Sequence, residues 1–275
     1  MKTVACIIAR TNSRRLPQKV LKEIAGKKTI EHLIDRIKKA RSVDKIYLCT
    51  SDNPDDSILL NIAHETGIES YAGSEDSVID RMLDVAKMED ADNVIRITGD
   101  NIFCDSVYID LMVKYHIKNK ADYTRTEFLP IGTTAEVMSV VSLKKVYKKI
   151  DPNFSQYLLL YTFDPEINKC TVLIPPAEHR HPNWSLTVDT PEDWERVVAL
   201  FQQSKQDLNY REILNLIENG NIPNYLFTST ANVKFPAGVT LYFEAFRKEI
   251  ELRIEKSQNI FISQEEYNLA YEKQI

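Results

Sequence analysis

Val4-Ala5-Cys6-Ile7-Ile8-Ala9 runs straight into Arg10-Thr11-Asn12-Ser13-Arg14-Arg15-Leu16-Pro17-Gln18-Lys19, and this stretch decides the architecture of the chain. The apolar run reads as a buried N-terminal strand. Four cations, small polar residues and a Pro then leave that strand at its carboxyl end. In an open α/β sheet this end is where ligands bind. Four positive charges on one loop repel each other unless solvent or an anion spreads them. A polyanion such as a nucleoside triphosphate suits the loop. A solvated basic loop is the plain alternative, and what lies further along the chain decides between the two.

Outward from that stretch, strand-like and helix-like segments alternate. A helix from Thr29 carries Ile30, Leu33, Ile34 and Ile37 at helical spacing, with Glu31 in its first turn and Lys38, Lys39 and Arg41 near its end. Both charge biases favour the helix dipole. Lys45–Thr50 is a strand, a helix from about Pro54 stops at Gly67, and a short strand over 68–71 precedes a helix over roughly 75–89. Asn93–Thr98 is the next strand, ending at Gly99-Asp100, and Asp105 caps the helix after it. This βαβαβ order implies a mainly parallel sheet covered by helices. Further strands are expected near 121–126, 136–141, 170–174 and over Trp184–Val188. Thr190-Pro191-Glu192-Asp193 then makes a strong helix start: a capping Thr, Pro at the first helical position, acids in the first turn. A helix over 209–219 closes a main domain of residues 1–220 at Gly220, and residues 221–275 form a partly helical C-terminal extension whose role the sequence leaves open.

The bulk numbers bound the function. With 275 residues, 43% hydrophobic and 27% charged, the chain is an ordinary globular protein with a core that needs no disulfide or structural metal. A net charge of −5 argues against nucleic-acid binding. The N-terminal apolar run is too short for a signal-peptide core or a membrane span, which makes the cytoplasm the expected location. Cys6, Cys49, Cys104 and Cys170 form no Cys-x-x-Cys pattern and read as core packing. His179 and His181 are the only close histidine pair, a weak basis for a zinc site. The first of seven glycines is Gly26, which excludes a Gly-x-Gly-x-x-Gly fingerprint or a Walker A loop at the first strand.

Asp100 and Asp189 each fall at or just beyond the carboxyl end of an expected strand. If both strands share one parallel region, both carboxylates reach the rim where the basic loop lies. Two carboxylates suit Mg²⁺, a hard ion that takes few protein ligands beside phosphates.

Five blocks in order carry a family resemblance. They are Ile7–Leu21 with Arg10, Ser13, Arg15 and Lys19; Thr50-Ser51-Asp52-Asn53-Pro54; Gly73–Arg81; Arg96–Asp100; and Leu186–Asp193. The chain resembles the spore-coat-polysaccharide-type cytidylyltransferases, related to the acylneuraminate and 3-deoxy-manno-octulosonate enzymes. The resemblance implies an α/β, GT-A-like (Rossmann-like) nucleotidyltransferase fold, with a mainly parallel sheet and helices on both faces. It implies transfer of CMP from CTP to a small acceptor, a keto-acid sugar or a related phosphorylated or phosphonylated molecule. Arg10, Ser13, Arg15 and Lys19 would hold the triphosphate, with Arg10, Arg15, Lys19 and Asp100 as the catalytic set. Asp100 and Asp189 would hold Mg²⁺. Thr50, Ser51, Ser74 and Arg81 would lie near the cytidine, with Asp80 supporting Arg81. A homodimer is the implied assembly.

The chain departs from the family at three loop positions. Asn12 and Gln18 stand where glycine is usual, and Arg14 replaces a small hydroxyl residue. Asn tolerates left-handed backbone better than most residues, so position 12 is expected to keep the turn. For the acceptor, Arg125 and Glu136 are the candidates, together with Glu127; surface salt bridges are the competing reading. Two other functions stay open at the level of sequence: a sugar-phosphate nucleotidyltransferase with a different nucleotide donor, and a non-catalytic nucleotide-sensing or scaffold subunit.

Overall fold

The computed structural model describes residues 1–204, 208–227, 232–234 and 240–274. The apolar run that opens the chain becomes β1 (Thr3–Ile8). Its side chains alternate between two cores. Ala5 and Ile7 point to one, Val4 and Cys6 to the other, and all four are fully buried. That is why the run is apolar without interruption: a strand in the middle of a covered sheet has no wet face.

Around β1 the chain lays down β2 (Glu23–Ile24) and β3 (Lys27–Lys28), a small hairpin, then α1 (Thr29–Ile37), β4 (Lys45–Ser51), α2 (Ser57–Glu65) and β5 (Glu69–Gly73). Next come α3 (Val78–Met88), β6 (Asn93–Thr98) and α4 (Ser106–Asn119). β4 and β6 pair parallel with β1, and β5 with β4, because each crossover runs through a helix. Ile30, Leu33, Ile34 and Ile37 of α1 are all fully buried on one side of the sheet. On the other side, Val78, Ile79, Met82 and Val85 of α3 close the second core.

The second half is mixed. β7 (Tyr123–Thr126) turns into β8 (Glu136–Ser139) with no helix between, so the two are antiparallel, and β8 also runs antiparallel to β6. After α5 (Val140–Tyr147) and α6 (Leu159–Thr162), β9 (Cys170–Ile174) pairs parallel with β7. Then follow α7 (Pro191–Gln203) and α8 (Tyr210–Asn219), which cover a third apolar cluster around Phe103, Leu186 and Val197. β10 (Asn232–Lys234) and β11 (Thr240–Tyr242) pair antiparallel outside the main sheet and lead into α9 (Phe243–Glu255).

β12 (Gln258–Phe261) then adds a last parallel strand beside β9, and the main sheet reads β12-β9-β7-β8-β6-β1-β4-β5. α10 (Gln264–Glu272), capped by Ser263, lies on α4 and buries Tyr267 in the core. Residues 258–272 of the expected extension are therefore built into the main sheet and its helical layer.

One expected strand is absent. Trp184–Val188 joins no sheet; only isolated bridges tie Trp184 to Leu226 and Ser185 to Ile131. β9 already has β7 and β12 as its neighbours, so the segment lies along the carboxyl rim instead. That placement positions the candidate site.

Candidate active site

The basic loop is tethered at both ends. At its start, the Thr11 backbone N–H and hydroxyl each donate to Asp56 at 2.7 Å, and the Ser51 hydroxyl donates to the same carboxylate. Asp56 is only 3% exposed. Burial pushes its carboxyl up, but the bonds from Ser51 and Thr11 outweigh that and hold it below the usual range. Asp56 thus pins the loop after β1 to the end of β4. Sequence reasoning passed it over; the available signal was a second acid in the first turn after Asn53-Pro54, where one acid would have served the helix dipole.

At the far end of the loop, Gln18 has φ 52° and ψ 30°, in the left-handed region. Asn12 does not have positive φ. The turn expected at Asn12 therefore falls on Gln18, the position where a family glycine would be free of strain. Next in the chain, the Lys19 carbonyl accepts the Thr29 hydroxyl at 2.6 Å. The Lys19 ammonium then reaches Asp100 at 2.7 Å and Asp189 at 2.9 Å. Burial disfavours its charge, and Asp100 followed by Asp189 more than restores it, so the ammonium is held above its ordinary value. Arg15 also pairs with Asp189, and its side chain is 69% exposed. Arg10 stands 3.7 Å from Glu75, open to solvent. Ser13 is half-buried on the same loop.

Asp100 reaches the rim because β6 presses against β1. The Gly99 N–H donates to Ile8 at 2.8 Å, and a Cβ on Gly99 would stand 2.8 Å from that of Ala9. Asp189 arrives by a different route from the one its sequence suggested. The Val188 N–H donates to the Asp100 carbonyl at 2.9 Å, and Leu186 N–H donates to Ile131 at 2.7 Å. Gly132, at φ 94°, lets the loop before β8 lie against Thr187, where a Cβ would meet the Thr187 nitrogen at 2.5 Å. Asp193 accepts the N–H groups of Asp189 and Thr190 at 2.9 Å each, while the Thr190 hydroxyl accepts the Asp193 N–H at 3.2 Å. Fully buried Arg196 donates to Asp193 at 2.8 Å and to the carbonyls of Thr187 and Asn224. Burial lowers its pKa, with Asp193 opposing. Arg196 braces the whole turn, and its position inside an ordinary amphipathic helix gave no sign of that.

On the other flank, Thr50 and Ser51 end β4 and are buried. Ser74 accepts the Ser77 N–H at 3.2 Å. Arg81 is 3% exposed, its Nη1 lies 3.4 Å from the Cys49 carbonyl, and burial lowers its pKa. Asp80 does not support Arg81 as expected: no ion pair joins them, and Asp80 faces the Tyr147 hydroxyl. Adjacent residues of a helix point away from each other, so one cannot brace the next.

The acceptor candidates form a row across the sheet. Glu136 of β8 stands opposite both Arg96 of β6 and Arg125 of β7. It accepts Arg96 at 2.7 Å and the Tyr123 hydroxyl at 2.5 Å. Burial pushes its carboxyl up, yet Arg96 and then Arg125 bring it below its usual range. Arg125 pairs with Glu127 at 2.6 Å, and burial raises Glu127. With side chains 13–17% exposed, these are buried pairs, not solvated surface bridges.

His179 binds the Tyr108 hydroxyl through Nδ1 at 2.7 Å, and His181 stacks on Trp184. Among the described residues no group of three or more His, Cys, Asp or Glu could hold a metal, and no helix is long and apolar enough to cross a membrane. All four cysteines are buried and free.

Comparison with known proteins bears on the family and the fold. The cytidylyltransferase family matches residues 4–220. An uncharacterized protein of Methanocaldococcus jannaschii is 31% identical over 230 residues, covering 82% of this chain and 94% of its own length. The spore coat polysaccharide biosynthesis protein SpsF of Bacillus subtilis is 29% identical over 221 residues, 77% of this chain and 92% of SpsF. Among solved structures, a cytidylyltransferase from Leptospira borgpetersenii superposes with a TM-score of 0.74 at 25% identity, over 82% of this chain and 100% of the other. A CMP:2-keto-3-deoxy-manno-octonic acid synthetase, solved with CTP, shares the fold at a TM-score of 0.59 and 18% identity, over 74% and 99% of the two chains. The α/β nucleotidyltransferase fold, the family match over residues 4–220 and the M. jannaschii relative together show that this chain belongs to the cytidylyltransferase family.

Proposed function

We propose that the chain transfers CMP from CTP to a small acceptor that presents a nucleophilic oxygen, with Asp100 and Asp189 holding Mg²⁺. The acceptor is a keto-acid sugar or a related phosphorylated or phosphonylated molecule. The observation that carries this reading is the meeting of Lys19, Asp100 and Asp189 at the rim of the sheet, beneath a loop that also bears Arg10 and Arg15. The metal assignment rests on donor chemistry. Lys19 lies 2.7 and 2.9 Å from one oxygen of each aspartate, so two hard oxygens converge on a single cation-sized point. Bound there, Mg²⁺ supplies charge neutralisation and orientation of the triphosphate.

The chain's own residues do the remainder. Arg10, Arg15 and Lys19, with Ser13, grip the triphosphate; arginine can do so bidentately, lysine as a point charge. Thr50, Ser51, Ser74 and Arg81 flank the nucleoside. The acceptor oxygen forms a bond to the α-phosphorus as the bond to the β-phosphate oxygen breaks, and pyrophosphate leaves toward Arg10, Arg15 and Lys19. Catalysis of this kind is positioning and charge stabilisation. Arg96 of β6, with Arg125 and Glu136 on the neighbouring strands and Glu127 just past the end of β7, would face the acceptor. The family resemblance supports a homodimer, and the short N-terminal apolar run supports the cytoplasm as its location.

The test is calorimetry of CTP, UTP, GTP and ATP with the purified protein, with and without Mg²⁺. Selective CTP binding that Mg²⁺ strengthens is the expected result, followed by a pyrophosphate-release screen for the acceptor. Selective binding of another nucleotide would keep the fold and replace the donor. Absence of binding to all four would overturn the enzymatic reading of this chain.

A further inference from the structure

Of the two basic-loop side chains that reach the candidate metal ligands, Arg15 pairs with Asp189 alone and Lys19 pairs with both aspartates. The Lys19 ammonium stands 2.7 Å from Asp100 and 2.9 Å from Asp189, and its side chain is only 14% exposed. It already fills the point on which the carboxylates converge. The backbone at Lys19 has little freedom. Its carbonyl holds Thr29, its N–H donates to Leu16 at 3.2 Å, and Gln18 before it sits in the left-handed turn. The side chain beyond Cβ, three carbons and the ammonium, has the rotatable bonds that a move to another anion would use. Two carboxylates that share one ammonium repel each other, so the pair favours a cation between them.

We infer that Lys19 is a resident cation that occupies the Asp100–Asp189 pair until nucleotide arrives, so that the ammonium and a divalent ion exclude each other there. The triphosphate offers Lys19 a second anion, and its arrival is what frees the carboxylates. This rests on the reading of Asp100 and Asp189 as metal ligands, and it gives Lys19 two stations where that reading gives it one. The consequence is linkage: the ion alone binds weakly, and ion and CTP strengthen each other.

The experiment is titration of Mn²⁺ into the full-length protein without nucleotide, with free ion followed by electron paramagnetic resonance. Wild type, Lys19→Met and Lys19→Arg are compared. Removing the competing charge is expected to tighten Mn²⁺ binding about tenfold or more in Lys19→Met, while Lys19→Arg stays near wild type. Adding Asp100→Asn to Lys19→Met is expected to abolish the gain. Folded Lys19→Met that binds Mn²⁺ no tighter than wild type overturns the inference and leaves the metal assignment standing. A gain that survives Asp100→Asn puts the ion elsewhere, and then both readings fall. Thermal melting gives a second readout. Lys19→Met leaves two carboxylates facing each other, so Mn²⁺ is expected to raise its melting temperature more than that of wild type; equal shifts overturn the proposal.

Discussion

Asp56 and Gln18 show how much single side chains settle in this site. Asp56 takes three hydrogen bonds, two from the loop after β1 and one from the end of β4, and a charged acceptor makes each of them strong. Asp56→Asn is expected to lower unfolding free energy by about 2 kcal/mol. It is also expected to weaken CTP binding, because Thr11 would no longer anchor the basic loop proposed to hold the triphosphate; urea melts and calorimetry check the two effects. The sign of the pH effect follows from the depressed carboxyl. Its stabilising contribution is present above the unfolded carboxylate value and is lost as pH falls through the lower folded one. In Asp56→Asn that acid-side loss is expected to be smaller. Gln18 bears left-handed backbone strain that glycine lacks. Gln18→Gly is expected to gain about 0.5–1 kcal/mol, strain relief offset in part by the entropy of a freer unfolded chain; a melting temperature that fails to rise would reject this account. Gln18 was marked only as standing where the family has glycine, and the role of Asp56 was passed over. An aspartate in a first turn and a glutamine in a loop look the same whether or not they hold anything.

The elements around Asp189 make a further point. The strand expected over Trp184–Val188 is absent, because this segment hydrogen-bonds to loop residues and not to a sheet neighbour. Here Ile131 and Asp100 take the hydrogen bonds. The cap of α7 was fully legible in Thr190-Pro191-Glu192-Asp193, and the structure shows the reciprocal Thr190–Asp193 box. Arg196, one turn further on, is what ties that cap to the site. Arg196→Met is expected to cost about 3 kcal/mol, since it strands Asp193 and two buried carbonyls. Mg²⁺-dependent CTP binding is expected to weaken with it, while the α7 sequence keeps its helicity by circular dichroism. Unchanged stability would show that the network contributes nothing.

At the scale of the whole molecule, two histidines sit deep in the two halves of the fold. His116 lies between Thr124 and Asn93, and His179 against Tyr108. Burial pulls each down to about 4. An unfolded histidine titrates near 6.5, so below that value the unfolded chain takes up protons that the folded chain refuses. Stability is therefore expected to fall as pH drops from about 6.5 to about 4, with a slope approaching two protons. Urea midpoints across that range, for wild type and for a variant with both histidines replaced by glutamine, measure it. An equal slope in the two proteins would assign the proton uptake to other groups. Elsewhere at this scale, β12 and α10 return to the sheet and to α4 after the long excursion through β10, β11 and α9. An edge strand of four residues with no turn signature leaves no periodic mark in the sequence.

What the sequence by itself determined is what neighbours a few residues apart can encode. That covers the doubly buried β1, the alternation of strands with amphipathic helices, the caps at Asp105 and Thr190, and the cluster of cations after the first strand. The tertiary structure alone decided the partners. Lys19 meets Asp100 and Asp189 across 81 and 170 residues of chain. β8 reverses direction inside a parallel sheet, and Asp189 is delivered by a rim segment braced on a buried arginine. Backbone propensity and side-chain periodicity act locally. The choice of a distant partner is made by which strand lies beside which, and by which buried polar groups still need a hydrogen bond once the core has closed.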